Sequence, residues 1–532
     1  MAFVSKAFIC FVFMISFFYF CVKKKYRWIV LLVGSYLFYW INSRSLVAIL
    51  FLMTAVTFGV GKIIDTRNQK CAVYLTDHGE LSPNERKSYK QKMKKTNKSI
   101  LILGVLIDLC ILLFLKYFNF FSENVNAIFG WLKLPVEVPA LNLLIPIGLS
   151  FYTLQAIAYM TDIYRGKYRA DSNFAQFMLF MSYFPQIVQG PIARHDQLAE
   201  QLYEGHNFDY KRCTFGLQLV LWGFMKKLII ADRLAIPVNA IFDHYENYSG
   251  LLVLLAAVGY SLQVYADFSG GMDIARGVSQ ILGIELQLNF KQPYFARSIE
   301  EFWRRWHITL GAWMKDYVFY PLSLSKFSGN IGKKTRKIFG SNIGKKIPSF
   351  IAMFIVYFLV GFWHGPEWKY MVYGIWNGIF IMSGILLEEA YSNTRKRLRI
   401  NEEKFAWKFF QMLRTFILCA IGRFFSRANN LPAAFFMITA SFKGIYNIAF
   451  LLDQTLIELG LSTADWILLC IMLLILLGVD LAHEKGIYIR QVISEQAIVF
   501  RWLIYYAAIF AIIIFGMYGP GYDSAAFIYQ QF

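Results

Sequence analysis

Apolar residues run through most of the chain in blocks separated by short polar stretches, and the blocks are long enough for membrane helices rather than strands. At about 20 residues per crossing, with allowance for tilt and for shorter segments buried in protein, spans are predicted at 7–22, 28–41, 46–61, 100–118, 174–190, 214–231, 249–268, 349–364, 369–387, 409–426, 465–482 and 502–517. Asp108 does not disqualify its segment. Thirteen of residues 100–115 are Leu, Ile, Val or Phe, at about −0.3 to −0.6 kcal/mol each against about +3 for one aspartate. The block 7–22 lacks a small-residue cleavage pattern and ends on Lys23, Lys24 and Lys25, a stop-transfer flank, so it reads as a span and not as a signal peptide. The expectation is an all-α polytopic membrane protein, one membrane domain over residues 1–532, with roughly 11–12 transmembrane helices. The weaker block 143–160 carries Pro146 and Gly148 and reads as a broken or re-entrant helix. Residues 269–322 are too polar to span and too apolar for an ordinary loop, so they are expected to fold back into the bundle.

Charge then orients the chain. The sequence is 57% hydrophobic and 17% charged with a formal net charge of +20, but the positive residues cluster between apolar spans and not on a solvated face, which argues against nucleic acid as a partner. Residues 62–98 hold ten Lys or Arg and four acids, and 323–348 hold seven Lys or Arg and no acid. Both basic loops are expected in the cytoplasm, where they meet membrane lipid head groups, and alternation then puts both termini outside. The seven cysteines have no CxxC spacing and several lie inside apolar runs, so neither a disulfide framework nor a metal site is indicated. No repeat of fixed period is present.

Ionisable residues at membrane depth mark sites by default. His78, His195, His206, His244 and His483 sit in polar surroundings and read as solvated loop residues. His307 differs: on helical spacing Trp303, Trp306, His307, Leu310 and Trp313 share one face, which turns the imidazole inward. His364 follows an apolar run in GFWHGPEW, where Gly361, Gly365 and Pro366 permit a helix break beside it. Each histidine can equally be read as an interhelical hydrogen-bonding contact. Nucleophile-elbow, zinc-helix, phosphate-loop and dinucleotide motifs are absent.

Eight stretches, in order, carry a resemblance: KYFNFF (116–121), IPIGLSFYTLQAIAYMTDIYRG (145–166), FPQIVQGPIAR (184–194), LQVYADFSGGMDIARG (262–277), NFKQPYFARSIEEFWRRWHITLGAWMKDYVFYPL (289–322), GFWHGPEW (361–368), RFFSRANN (423–430) and FIYQQF (527–532). Along nearly its full length the chain resembles the membrane-bound O-acyltransferase family, in the bacterial branch of alginate and peptidoglycan O-acetyltransferase membrane subunits. The resemblance implies a central acyl-transfer tunnel, His364 as the catalytic histidine and His307 as the second active-site histidine. It further implies movement of acetyl or another short acyl group from a cytosolic thioester to hydroxyls of a cell-envelope polysaccharide. Acetyl-CoA would serve as donor substrate with no permanently bound cofactor, in the bacterial cytoplasmic membrane.

In that setting His364 is expected to act as general base and His307 as a donor to the developing oxyanion, with the two roles open to exchange. Gln263, Tyr265, Asp267 and Ser269 match a family motif, as active-site support or as a structural polar knot. Arg304 and Arg305, or the lysines of 323–348, can meet the phosphates of coenzyme A or anionic lipid. In related systems the terminal FIYxxF pattern supplies a tyrosine that takes the acyl group temporarily. Here that residue is Tyr529, placed outside by the charge count, and the alternative is an aromatic interface anchor. The resemblance also implies an extracellular SGNH/GDSL-like acyltransferase partner. The alternative within the family is D-alanyl transfer to teichoic acid from an acyl carrier protein. The alternative of another class is a transporter without chemistry.

Overall fold

The computed structural model describes residues 1–446, 448–451 and 453–518. Helices dominate it, and among the described residues the one extended pairing outside them is an isolated antiparallel bridge between Phe290 and Trp306. This is an all-α polytopic membrane protein. Only helices satisfy every backbone N–H and C=O within a single segment, which is what a hydrocarbon solvent requires.

Among the described residues, eight helical runs are long and apolar enough to cross a bilayer, or nine if a pair bent by 62° counts as one broken span. That is fewer than the sequence pattern predicts, and the reasons are local. Lys6–Cys21 has only 16 residues, about 24 Å at 1.5 Å per residue against a hydrocarbon core of about 30 Å. The blocks 28–41 and 46–61 fall in one apolar run, Lys24–Asp77, interrupted at Arg44 with φ 44°. The block 174–190 is not one helix. Phe174–Ser182 ends at Tyr183 and a new short helix, Phe184–Ile187, starts with Pro185 in its first turn, where the missing N–H costs nothing. Conversely, a 17-residue helix starts inside 143–160 and runs past it, Leu149–Arg165, buried on nearly every side and bounded by Gly148 (φ 74°) and Gly166 (φ 75°).

The chain divides into two compact units. The first comprises residues 1–216 and 278–287. Its basic stretch 62–98 is a helical hairpin more than a loop. Val47–Asp77 runs into it, and Pro83–Leu112 starts from a Ser82–Glu85 capping box. His195 of this unit is not the solvated loop residue expected. It is 12% exposed, its Nε2 lies 2.7 Å from Asp171 Oδ2, and its ring packs against Tyr159, Tyr168 and Phe180. Tyr203 donates to the same carboxylate oxygen at 2.9 Å.

The second unit comprises 217–277 and 288–532, described as far as residue 518. Its basic stretch 323–348 is largely the helix Lys326–Gly344. Two of its helices, Ile347–His364 and Trp368–Leu386, approach at glycines. A Cβ on Gly361 would run into the carbonyl of Tyr370, and one on Gly374 into the carbonyl oxygen of Tyr357. Gly374 and Gly378 have the small-xxx-small spacing that lets membrane helices pack backbone to backbone. Gly374→Val should therefore destabilise the detergent-solubilised protein by about 1–3 kcal/mol, read as a lower melting temperature. Gly384→Val on the same helix, where nothing lies within 4 Å, should leave it unchanged.

Candidate active site

Within 269–322 the chain is helical on both sides of a break at residues 306–307. Ile299–Arg305 is a helix capped by Ser298, whose Oγ accepts from Glu301 N at 3.1 Å. Trp306 then turns extended, His307 adopts a left-handed conformation (φ 46°, ψ 53°), and a second helix, Ile308–Met314, begins at once. The single helical face drawn through residues 303–313 is thus corrected. Trp303, Trp306, His307, Leu310 and Trp313 are all buried, but by two short helices meeting at a kink. Left-handed backbone is rare for a residue with a Cβ and persists only where the surroundings over-determine it. Here residues 289–291 do so: Lys291 N donates to Arg305 O at 2.9 Å and Ile308 N to Asn289 O at 3.0 Å. The Asn289 side-chain oxygen accepts from Thr309 N at 3.0 Å and from Thr309 Oγ1 at 2.9 Å.

His307 is 1% exposed, and loss of solvation lowers its pKa to about 3, so the ring is neutral. His364 is 5% exposed and ends the helix Ile347–His364, because Gly365 continues in extended backbone and helix resumes only at Trp368. The two imidazoles flank one indole. The Trp363 ring centroid lies 5.7 Å from that of His307 and 5.2 Å from that of His364, with Tyr373 a further neighbour of His364 at 6.2 Å. Arg423, buried, sets its guanidinium over Trp306 at 4.8 Å and Tyr373 at 5.5 Å. Trp303 Nε1 donates to Asn377 Oδ1 at 3.1 Å, and Asn377 Nδ2 to Tyr373 O at 2.8 Å. Two buried imidazoles around one indole have the chemistry to remove a proton from a hydroxyl and to hold a developing oxyanion.

Gln263, Tyr265, Asp267 and Ser269 are all buried on the helix Leu251–Ile281. Three of them are tied to charges. Tyr265 OH donates to Asp480 Oδ2 at 2.8 Å, Asp267 pairs with Lys227 at 2.8 Å, and Ser269 Oγ accepts from Lys226 at 2.8 Å. Lys226 also meets Asp273 at 2.6 Å, and Lys227 also meets Asp232 at 2.8 Å. The two lysines lie in a π-helical stretch, Met225–Ala231, within which consecutive residues are buried together. Sequence reasoning passed over this pair and over Arg423. The signal was present, since two adjacent lysines in the middle of an apolar run are expensive unless paired.

Arg304 and Arg305 stand apart from the imidazoles' immediate neighbours. Arg304 is exposed and pairs with Glu300 at 2.9 Å, and Arg305 bridges Glu301 and Glu484, each at 2.7 Å. Tyr529 lies outside the described residues.

The sequence pattern of the membrane-bound O-acyltransferase family matches residues 167–426. A Pseudomonas syringae pv. tomato protein named probable alginate O-acetylase is 31% identical over 425 residues, 80% of this chain and 72% of that one. A Helicobacter pylori peptidoglycan O-acetyltransferase is 32% identical over 361 residues, 63% of each chain. A Streptococcus thermophilus teichoic acid D-alanyltransferase is 28% identical over 264 residues, 48% of this chain and 60% of that one. The chain belongs to the membrane-bound O-acyltransferase family and is an O-acyltransferase.

Removing one member of the buried ion pairs should cost more than removing a surface charge. Lys227→Met leaves Asp232 and Asp267 without their shared cation and should destabilise by about 3–5 kcal/mol, measured as loss of monodisperse protein on size-exclusion chromatography. Lys326→Met in the basic helix, outside that network, should not.

Proposed function

We propose that this enzyme moves an acetyl group from acetyl-CoA on the cytosolic side to hydroxyls of an extracytoplasmic cell-envelope polysaccharide. The observation that carries the reading is the pair of buried imidazoles flanking Trp363. In the transfer step His364 takes the proton of the attacking hydroxyl, and the oxygen forms a bond to the thioester carbonyl carbon. His307 donates to the oxyanion. The carbon–sulfur bond then breaks, and the thiolate leaves with the proton held by His364, giving an ester and free coenzyme A. General-base assistance of this kind is worth about 10²–10⁴-fold.

Delivery runs through the tunnel implied by the family resemblance, and Tyr529 carries the acyl group briefly on the outer side. An ester on a phenol splits one long transfer into two shorter ones. A secreted SGNH/GDSL-like acyltransferase completes the delivery to polymer. Relatives named for O-acetylation match over more of this chain than those named for D-alanylation, which favours acetyl over D-alanyl as the group moved.

The test uses inside-out vesicles from cells expressing the full chain, supplied with radiolabelled acetyl-CoA. Wild type should form alkali-labile acetyl ester, and His364→Ala, expressed at the same level, should lose it by at least about 10²-fold. Tyr529→Phe should abolish label on the protein itself. Unchanged transfer in His364→Ala removes the histidine assignment, and unchanged protein labelling in Tyr529→Phe removes the relay.

A further inference from the structure

We propose that Asn289 is a positioning residue that holds His307 as the tautomer protonated on Nε2, making His307 the hydrogen-bond donor of the transfer and leaving proton removal to His364. The role in transfer rests on the function proposed above, while the tautomer itself does not.

The assignment follows from counting donors and acceptors around one buried amide. Asn289 is 1% exposed. A backbone N–H can only donate, so the Asn289 atom 3.0 Å from Thr309 N is the oxygen, which fixes the orientation of the amide. Thr309 Oγ1 donates to the same oxygen at 2.9 Å. An amide oxygen has two lone pairs, and these two donors use both. His307 Nδ1 lies 3.3 Å from that oxygen and 3.2 Å from Nδ2. Nδ2 has two hydrogens, and its other neighbour is Met272 Sδ at 3.5 Å.

One arrangement pairs every donor and acceptor of the Asn289 side chain. Nδ2 donates one hydrogen to the lone pair of His307 Nδ1 and the other to the sulfur, while the oxygen accepts twice from Thr309. A proton on Nδ1 would instead set two donors, Nδ1 and Nδ2, 3.2 Å apart and leave a buried Nδ2 hydrogen with only a weak sulfur acceptor, a loss of about 1–3 kcal/mol. The hydrogen bond on one ring nitrogen decides which nitrogen carries the proton. With Nδ1 accepting and the ring neutral, the proton is on Nε2. Phe268 and Trp363, at ring-centroid distances of 5.0 and 5.7 Å, hold the plane of the imidazole in an edge-on arrangement. Asn289 thus acts at both ends of the kink: its backbone and side-chain oxygens cap the new helix at Ile308 and Thr309, and its amide nitrogen sets the proton on the histidine that the kink presents.

The experiment is nitrogen NMR of the full chain in lipid bilayers with labelled histidine, the His307 signals being identified by their loss in His307→Ala. Wild type is expected to show His307 protonated on Nε2 and accepting on Nδ1; a proton on Nδ1 overturns the assignment, with no variant needed. Asn289→Asp keeps an acceptor for Thr309 and removes the Nδ2 donor. It should move the proton to Nδ1 and lower kcat for acetyl transfer from radiolabelled acetyl-CoA by about 10²–10³-fold, with KM for acetyl-CoA unchanged. A folded Asn289→Asp with Nδ1 protonated and kcat unaltered overturns the donor role. Full transfer by His307→Ala overturns the function proposed for that ring, while the tautomer stands or falls on the wild-type spectrum alone.

Discussion

A helix that breaks inside an apolar bundle must find partners for the amide groups it frees, and this requirement governs the candidate active-site segment. The first amides of Ile308–Met314 have no intrahelical acceptor. Asn289 supplies two, its own carbonyl and its side-chain oxygen. Without them, the left-handed turn at His307 would expose orphan donors at several kcal/mol each in a water-free setting. The same contacts that make the break tolerable place the imidazole against Trp363, so backbone satisfaction and the placement of the proposed catalytic ring are one problem with one solution.

A second constraint concerns charge. Lys226, Lys227, Asp232, Asp267 and Asp273 lie close together, and each lysine meets two carboxylates or a carboxylate and a hydroxyl. Such a network has a large cost if any partner is lost, which makes it a rigid brace between the helix 251–281 and the π-helical stretch that carries the lysines. Arg423 is held differently, stacked on Trp306 and Tyr373, where a weakly hydrated planar cation suits aromatic faces better than a lysine would. Arg423 thus adds a buried cation over Trp306 and Tyr373, in a protein whose outer surface is largely apolar.

How much of this can be read from sequence depends on whether the cause is local. The end of the helix at His364 was legible, since Gly365 and Pro366 announce it within two residues. The break before His307 was not: EEFWRRWHITL contains no glycine or proline, and its apolar spacing fits one continuous helix. The break comes from pairing with residues 289–291, a tertiary effect that periodicity cannot report. Pro185 inside 174–190 is a local signal of the split that the expectation of one span left unused. His195 was misplaced because polar sequence neighbours do not reveal that Asp171 and three aromatic rings close over it. Burial of both candidate histidines was recoverable from the tryptophans around them, whereas Arg423 stood within a quoted motif without any local sign that its side chain turns inward.

The most direct test of the account is an experimental structure of the enzyme in lipid with a non-hydrolysable acetyl-CoA analogue. The account predicts the acyl carbonyl carbon beside the indole of Trp363, its oxygen within about 3 Å of His307 Nε2 and the opposite side open toward His364. An acyl group seated away from both imidazoles, with Trp363 packed against protein alone, would contradict it.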